Sequence, residues 1–349
     1  MLCNLGLLSM KNIRNLTLDE MEELAEAMDM PASRGRQLFG QVFSPGMDSF
    51  SKLHNISQEF IRKISAEYFI EPLRLHKREK SADGTVKYAF VLADNKIIES
   101  VLIPNSGRNT LCISTQAGCA MGCRFCLTST MGFRRNLETA EIIGQALCVM
   151  TELKADNSGI INNIVFMGMG EPLDNSENCT RALSIMQADR GLNFPDRKIT
   201  ISTCGITPEI KRFAEISNVN LALSLHSVDE KVRTELMPVN RKYPLKDLLD
   251  LCRKISAEKE SPILIEYILF RDINDSEEDA QKLAEALRDI NCKINLLTYN
   301  ENPNLKFRQS PEEASLKFKD ILYQAGYRVM MRRSRGSDIS AACGQLAGR

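Results

Sequence analysis

Hydrophobic positions in the second half of the chain form short apolar runs, separated by longer amphipathic stretches. The short runs suit buried strands, and they cover residues 163–167, 198–202, 221–225, 263–269, 293–298 and 328–331. The longer stretches have helical spacing, and they cover residues 137–154, 177–189, 245–257, 277–290 and 311–325. Strands that alternate with helices over short links predict an α/β fold with a parallel sheet and helices outside it. About six such units fit, so the pattern predicts a partial (βα)6 barrel of the TIM type.

The N-terminal part of the chain has a different pattern. Apolar residues recur at helical spacing from residue 16 to residue 70, with the three segments starting near residues 18, 35 and 57. Two β-like runs then flank Asp94-Asn95 within residues 86–103, which predicts a β-hairpin. We therefore expect an N-terminal helical accessory domain over residues 1–85, a hairpin linker over 86–104 and a catalytic core over 105–349.

Composition narrows the class of protein. The 349 residues carry 45 basic and 45 acidic side chains, so the chain is not uniformly basic. Local basic clusters at 74–80, 134–135, 241–242 and 332–335 are either solvated surface or contacts for phosphates. No stretch is apolar over a membrane-spanning length, and the N-terminus lacks the basic region of a signal peptide. These features predict a cytoplasmic protein without a membrane partner, whose translation starts at Met1 or Met10.

The spacing of the cysteines carries the first chemical signal. There are 11 of them, an odd number, which argues against a disulfide framework. Three fall within eight residues, at Cys119, Cys123 and Cys126, and Gly118 and Gly122 allow the backbone between them to curl. A structural zinc site needs a fourth cysteine or histidine at a suitable spacing, and none follows. Three thiolates on one loop instead suit an iron–sulphur cluster with one iron left open.

Further polar residues follow the predicted strands at their carboxyl ends. Gly168-Met-Gly-Glu-Pro172 follows the first strand, Ser202 the second, Ser224-Leu-His226 the third and Asn300 the fifth. Active-site groups of barrel enzymes gather at this end of the sheet. The sequence therefore predicts that these residues meet around one site.

The cysteine motif, with Phe125 before its last cysteine, is similar to that of the radical S-adenosylmethionine (SAM) superfamily. Longer motifs resemble the RlmN/Cfr family of adenosine methyltransferases, and they lie at 110–119, 132–137, 167–173, 224–226 and 338–346. The resemblance begins near Asn15 and favours the RlmN branch. Ser340 departs from it, since many members carry aspartate there, and the two residues before Asn300 vary.

The resemblance implies a cofactor set and its ligands. One [4Fe–4S] cluster is expected on Cys119, Cys123 and Cys126, with two SAM molecules used per turnover. The implied SAM contacts are Gly170, Glu171, Ser202, Ser224, Leu225, His226 and Asn300. His226 has a plainer alternative, in which it is a loop histidine satisfied by its own hydrogen bonds.

The resemblance also implies a methyl relay. Carbon-2 of adenine is electrophilic, so it does not attack the SAM methyl group itself. In the implied reaction Cys343 takes a methyl group, a SAM-derived radical removes a hydrogen from it, and the methylene adds to the ring. Cys112 then displaces the product and forms a disulfide with Cys343, while Glu99 accepts the ring proton. The plainer alternatives are an idle tail thiol for Cys343, a buried strand residue for Cys112 and an exposed strand carboxylate for Glu99.

The partners implied by the resemblance are nucleic acids and an electron donor. The implied substrates are adenine-2503 of 23S rRNA and adenine-37 of tRNAs, and flavodoxin or ferredoxin would supply electrons to a monomeric enzyme. Two other functions stay open from the sequence: methylation at carbon-8, as in the Cfr branch, and a non-enzymatic iron–sulphur regulator that binds RNA. The sequence does not reveal which tRNAs are substrates.

Overall fold

The computed structural model describes residues 10–348. Its N-terminal part joins β1 (Lys11–Asn12), α1 (Leu18–Ala27), α2 (Ala32–Val42), α3 (Gln58–Ser65) and β2 (Tyr68–Phe69). A capping box between Thr17 and Glu20 starts α1, because each side chain accepts a hydrogen bond from the other's backbone. The third helix ends four residues earlier than predicted, since its last residues pair with β1 as the short strand β2.

Four antiparallel strands follow, and they are β3 (Arg74–Lys80), β4 (Val86–Val91), β5 (Ile97–Asn105) and β6 (Arg108–Cys112). The predicted hairpin is confirmed as β4 and β5. In contrast, β3 falls inside the 1–85 segment that was expected to be helical. Its charged residues gave no strand pattern, and they are tolerated because β3 is the edge strand of its sheet and is largely exposed.

The remaining elements alternate along the chain. A small hairpin comes first, formed by β7 (Gln116–Ala117) and β8 (Arg135–Asn136) on either side of α4 (Leu127–Thr130). The others are α5 (Thr139–Ala155), β9 (Ile161–Phe166), α6 (Ser176–Gln187), β10 (Ile199–Thr203), α7 (Thr207–Ile216), β11 (Asn220–Ser224), α8 (Glu230–Leu236), α9 (Leu245–Glu258), β12 (Ile263–Leu269), α10 (Glu277–Ala286), β13 (Cys292–Thr298), α11 (Glu312–Gln324) and β14 (Arg328–Arg332).

The main sheet has ten strands in the order β14-β13-β12-β11-β10-β9-β6-β5-β4-β3. The strands from β14 to β6 are parallel, and helical crossovers connect them in sequence. This arrangement confirms the predicted partial barrel. It also adds β6 to the six predicted strands, which makes seven parallel strands linked by six crossovers. No helix among residues 10–348 is long and apolar enough to cross a membrane.

Candidate active site

One cavity opens at the carboxyl ends of the parallel strands. It has a volume of about 240 Å³, and every parallel strand contributes to its wall, from Cys112 on β6 to Arg332 on β14. Residues near both ends of the parallel run therefore face one space, because the sheet curls around it. All of the predicted site residues except Glu99 and Leu225 line this cavity.

The loop with the three cysteines begins and ends at the β7–β8 hairpin. Gly118 adopts a φ of 78°, and a Cβ added to it would lie 1.8 Å from the carbonyl oxygen of Gly132. Only glycine therefore allows the two ends of the loop to approach this closely. Cys126 comes just before α4, and its N–H donates to the carbonyl of Cys123 at 3.2 Å. With Cys119, these cysteines line the cavity from the single loop segment 119–126.

Glu171 is buried beside that loop and fixes the ends of two strands. Its Oε2 accepts a hydrogen bond from the N–H of Cys204 at 2.9 Å, and its Oε1 accepts from the N–H of Leu173 at 3.2 Å. Burial raises the pKa of the Glu171 carboxyl. Gly170 has a φ of 100°, and a Cβ added there would lie 2.7 Å from the backbone nitrogen of Gln116. The segment is therefore pressed against the start of the cysteine loop.

His226 is buried in the cavity wall after β11. It adopts a left-handed φ of 57°, and its Nδ1 accepts a hydrogen bond from the N–H of Ile268 at 3.1 Å. The neutral ring therefore carries its proton on Nε2, which is left as the donor. Phe125, from the cysteine loop, packs edge-on against the imidazole at 5.0 Å between ring centroids. The alternative that His226 is a loop histidine satisfied by its own hydrogen bonds therefore holds for Nδ1, whereas Nε2 is left to bind a ligand.

The buried imidazole predicts a loss of stability in acid. Burial lowers the pKa of His226 from 6.5 to about 3, so the unfolded chain binds this proton more readily. The stabilisation is complete above pH 6.5 and is lost as the pH falls from 6.5 toward 3, with a loss of about 2 kcal/mol by pH 5. Urea unfolding at pH 7.5 and pH 5 should show a smaller pH effect in His226→Gln than in the wild type. The matched control is His54→Gln, whose side chain is exposed; equal pH effects in all three proteins would contradict the assignment.

Cys112 and Cys343 are far apart in sequence and line the same cavity. They are not bonded to one another. Cys343 is exposed as a residue, but burial of its thiol at the cavity wall raises the pKa to about 12, and burial raises that of Cys112 to about 12 as well. The positive charge of Arg332 opposes both shifts. Both groups are therefore thiols at neutral pH in this arrangement.

The segment that carries Cys343 is tied down on both sides. Before it, the carboxylate of Asp338 accepts hydrogen bonds from the hydroxyl of Ser81 at 2.6 Å and the N–H of Ala82 at 3.2 Å, in the β3–β4 turn. After it, the carbonyl of Gly344 accepts from the N–H of Leu127 at 2.8 Å. The amide of Asn300 also donates to the carbonyl of Cys343, at 3.3 Å. Cys343 is thus held between the β3–β4 turn and the cysteine loop.

Glu99 lies on β5 outside the cavity lining. It is 1 % exposed, which excludes the alternative of an exposed strand carboxylate. Its Oε2 accepts hydrogen bonds from the N–H groups of Ala347 at 2.8 Å and Gly348 at 3.1 Å, and its Oε1 lies 3.5 Å from the Nζ of Lys87. The C-terminal segment therefore covers the carboxylate that was predicted to act as the proton acceptor.

Sequence reasoning missed two charged residues, one in the cavity wall and one behind it. Glu266 faces the cavity from β12, and its Oε1 accepts a hydrogen bond from the amide of Asn295 at 2.7 Å. A signal for it was present, because it is the single charge within an apolar strand. Arg233, buried behind the wall, gave no signal, since its sequence neighbours are charged like those of a surface helix.

The comparisons with known proteins agree with this architecture. The model of the radical SAM superfamily matches residues 113–284. A radical SAM methyltransferase of Sphaerobacter thermophilus superposes with a TM-score of 0.91 at 36% identity, over 97% of this chain and 100% of that one. The chain thus has the fold of a radical SAM methyltransferase.

Curated relatives are similar over nearly the whole chain. A dual-specificity RNA methyltransferase RlmN of Desulfotalea psychrophila is 44% identical over 96% of this chain and 94% of its own. That of Geobacter sulfurreducens is also 44% identical, over 98% and 93%. The chain belongs to the RlmN family. Membership of this radical SAM family brings one [4Fe–4S] cluster and SAM as cofactors.

The site fits these cofactors. Three thiols on a glycine-curled loop face the cavity, and the pocket beside them holds the buried carboxylate Glu171 and the donor Nε2 of His226. Within residues 10–348 no three His, Cys, Asp or Glu side chains converge on a single-ion position. A cubane does not require this, because each of the three thiolates binds a different iron. The roles of the individual residues stay predictions.

Proposed function

We propose that this chain methylates carbon-2 of adenine in 23S rRNA and in tRNA through a methyl-cysteine relay. The proposal rests on one observation: Cys112 and Cys343 line the same cavity as the loop that carries the other three cysteines. A radical enzyme that modified its substrate directly would need the loop alone. A second pair of thiols beside it suits a relay, in which one sulphur carries the carbon and the other releases it.

The chain's own residues would divide the work as follows. The bound cluster and SAM supply the methyl group and the radical chemistry. Cys343, on a tethered segment, carries the methyl carbon as a thioether. Cys112 first gives up its proton, because burial keeps it a thiol in the present arrangement. Once the carbon is joined to adenine, the Cys112 thiolate attacks the Cys343 sulphur and the disulfide forms as the carbon–sulphur bond breaks. The carbon leaves with the electron pair of that bond and takes a proton, which completes the methyl group. Two electrons and two protons from an external reductant then restore the two thiols.

Glu99 would accept the ring proton only after a movement. In the present arrangement both of its oxygens are occupied, by Lys87 on one side and the N–H groups of Ala347 and Gly348 on the other. The same C-terminal segment carries Cys343. A shift of this segment that brings the methylated sulphur to the adenine would therefore also uncover the carboxylate.

The mouth of the cavity suits RNA. Arg332, Arg333 and Arg335 line it, are exposed, and make no ion pair with any residue in 10–348. Of the other predicted basic clusters, Arg135 is bound by Asp94 and Glu141 and so supports the fold. Free arginines at the rim are placed to hold phosphates on either side of an unstacked adenine. We expect a monomer that works in the cytoplasm with a flavodoxin or ferredoxin as electron donor.

The test is anaerobic reconstitution with iron, sulphide and SAM, followed by nucleoside analysis of 23S rRNA and tRNA by mass spectrometry. The expected product is 2-methyladenosine in both RNAs. The appearance of 8-methyladenosine would move the chain to the Cfr type of reaction. RNA binding by the cluster-loaded protein with no methylated nucleoside would favour the non-enzymatic regulator instead.

A further inference from the structure

Arg233 is a fully buried arginine on α8, and its guanidinium donates hydrogen bonds to backbone carbonyls. Its Nη1 donates to the carbonyls of Leu225 at 2.7 Å and Ser224 at 3.3 Å, and its Nη2 donates to the carbonyl of Cys204 at 2.8 Å. Nη1 also lies 3.0 Å from the sulphur of Met237. The side chain therefore ties the loops after β10 and β11 together beneath the cavity.

The guanidinium of Arg233 forms no ion pair in the described part of the chain. No carboxylate there lies within ion-pair distance of the guanidinium, and its Nε–H is buried without an acceptor. A guanidinium stays protonated in proteins, and a buried charge without a counter-charge is strongly unfavourable. The charge of Glu230 acts on the guanidinium from a longer distance, and that carboxylate is hydrogen-bonded to the amide of Asn240 at 2.7 Å. The described residues therefore leave the cation without a counter-charge in contact.

The cysteine loop lies directly against the element that carries Arg233. The N–H of Arg124 donates to the carbonyl of Leu236, the last residue of α8, at 3.0 Å. Cys123 packs in the same apolar cluster as Leu236 and Met237. Arg233 does not line the cavity, so it stands behind the wall on which the loop rests.

We propose that Arg233 is a positioning residue that supplies the buried counter-charge of the iron–sulphur cluster. The inference rests on the proposed placement of the cluster on Cys119, Cys123 and Cys126. An oxidised [4Fe–4S] cluster with three thiolates is anionic, and one-electron reduction makes it more so. A cation held nearby in a poorly solvated wall stabilises the reduced state most and raises the reduction potential.

The hydrogen bonds give Arg233 a second effect through the SAM site. Ser224 and Leu225 are predicted SAM contacts, and their carbonyls are acceptors for the guanidinium. Gly205 leaves room for it, because a Cβ there would lie 3.1 Å from Nη2. Lysine keeps the positive charge but lacks the planar guanidinium that bonds two carbonyls at once. The Arg233→Lys substitution should therefore preserve the reduction potential of the cluster and weaken SAM binding.

The experiment compares Arg233→Gln with Arg233→Lys in reconstituted, full-length protein. The midpoint potential is measured by an anaerobic titration followed by electron paramagnetic resonance. We expect Arg233→Gln to lower the reduction equilibrium constant at least tenfold, which is about 59 mV for one electron. Arg233→Lys should stay within threefold of the wild type and should raise the KM for SAM.

The matched control is Arg14→Gln. Arg14 is also buried and donates to backbone carbonyls, of Val42 and Met47, but it lies in the N-terminal part of the chain. Its replacement should reduce stability and leave the potential unchanged. This separates the charge near the cluster from the general cost of removing a buried arginine.

An unshifted potential in Arg233→Gln would overturn the proposal, and so would an equal shift in Arg233→Lys. If Arg233→Gln fails to fold or to take up iron, Arg233→Lys decides: a cluster at near wild-type potential supports the counter-charge, and no cluster refutes it. Failure of the proposed function is distinguishable, because the wild-type protein itself would then show no cluster signal or no methylated adenine.

Discussion

Replacement of Cys343 with alanine should abolish RNA methylation while the cluster and the fold remain intact. The thiol is the proposed carrier of the transferred carbon, and its tethered segment brings it to the cavity wall apart from the loop of the three cluster cysteines. Loss of a nucleophile typically costs about 10⁴-fold or more in turnover. The measurement is multiple-turnover formation of 2-methyladenosine, together with iron content and the thermal unfolding midpoint.

Two comparisons make that result specific. Cys148→Ala, in a half-buried cysteine of α5 remote from the cavity, should keep wild-type activity. Cys112→Ala should stop turnover at a later stage, so that RNA stays covalently attached to Cys343 and migrates with the protein on a denaturing gel. Full activity in Cys343→Ala would exclude the relay, and a Cys112→Ala variant that turns over without an adduct would exclude the role of Cys112.

The parallel sheet was predictable because most of its strands are short runs dominated by apolar residues. Each of the runs found in the sequence returned as a strand within two residues of its predicted bounds, for example 263–269 as β12. The missing strand, β6, has only Leu111 and Cys112 as buried residues and begins with three polar ones. It was therefore indistinguishable from a loop, although it carries one of the relay cysteines.

The site was predictable only where residue type and spacing determine the chemistry. The spacing of three cysteines indicated the cluster ligands, which are Cys119, Cys123 and Cys126. The position of polar residues directly after predicted strands indicated the rest of the site. The burial of Arg233 and of Glu99 results from contacts between residues far apart in sequence, such as the hydrogen bond from Ala347 to Glu99. No local pattern encodes such a contact, since a carboxylate on a hairpin strand reads as solvent-exposed until the chain that covers it is placed.

Conversion of Cys126 to serine should remove the cluster and, with it, all methylation. A serine hydroxyl is a poor ligand for iron at neutral pH, and two thiolates are too few to retain a cubane that three hold with one iron open. The apoprotein should still fold, because the loop is anchored by the β7–β8 hairpin and by the hydrogen bond from Leu127 to Gly344. Iron and sulphide should fall to background, and turnover by at least roughly 10³-fold.

The matched control for this loss is Cys204→Ala. Cys204 lies in the same cavity wall and the same apolar cluster as the loop cysteines, but it belongs to the segment after β10. Its backbone N–H is held by the carboxylate of Glu171, on a segment separate from the loop that carries the other three thiols. Cys204→Ala should therefore keep its iron. Retention of iron and activity in Cys126→Ser, or loss of iron from Cys204→Ala, would show that the cluster is held by a different set of thiols.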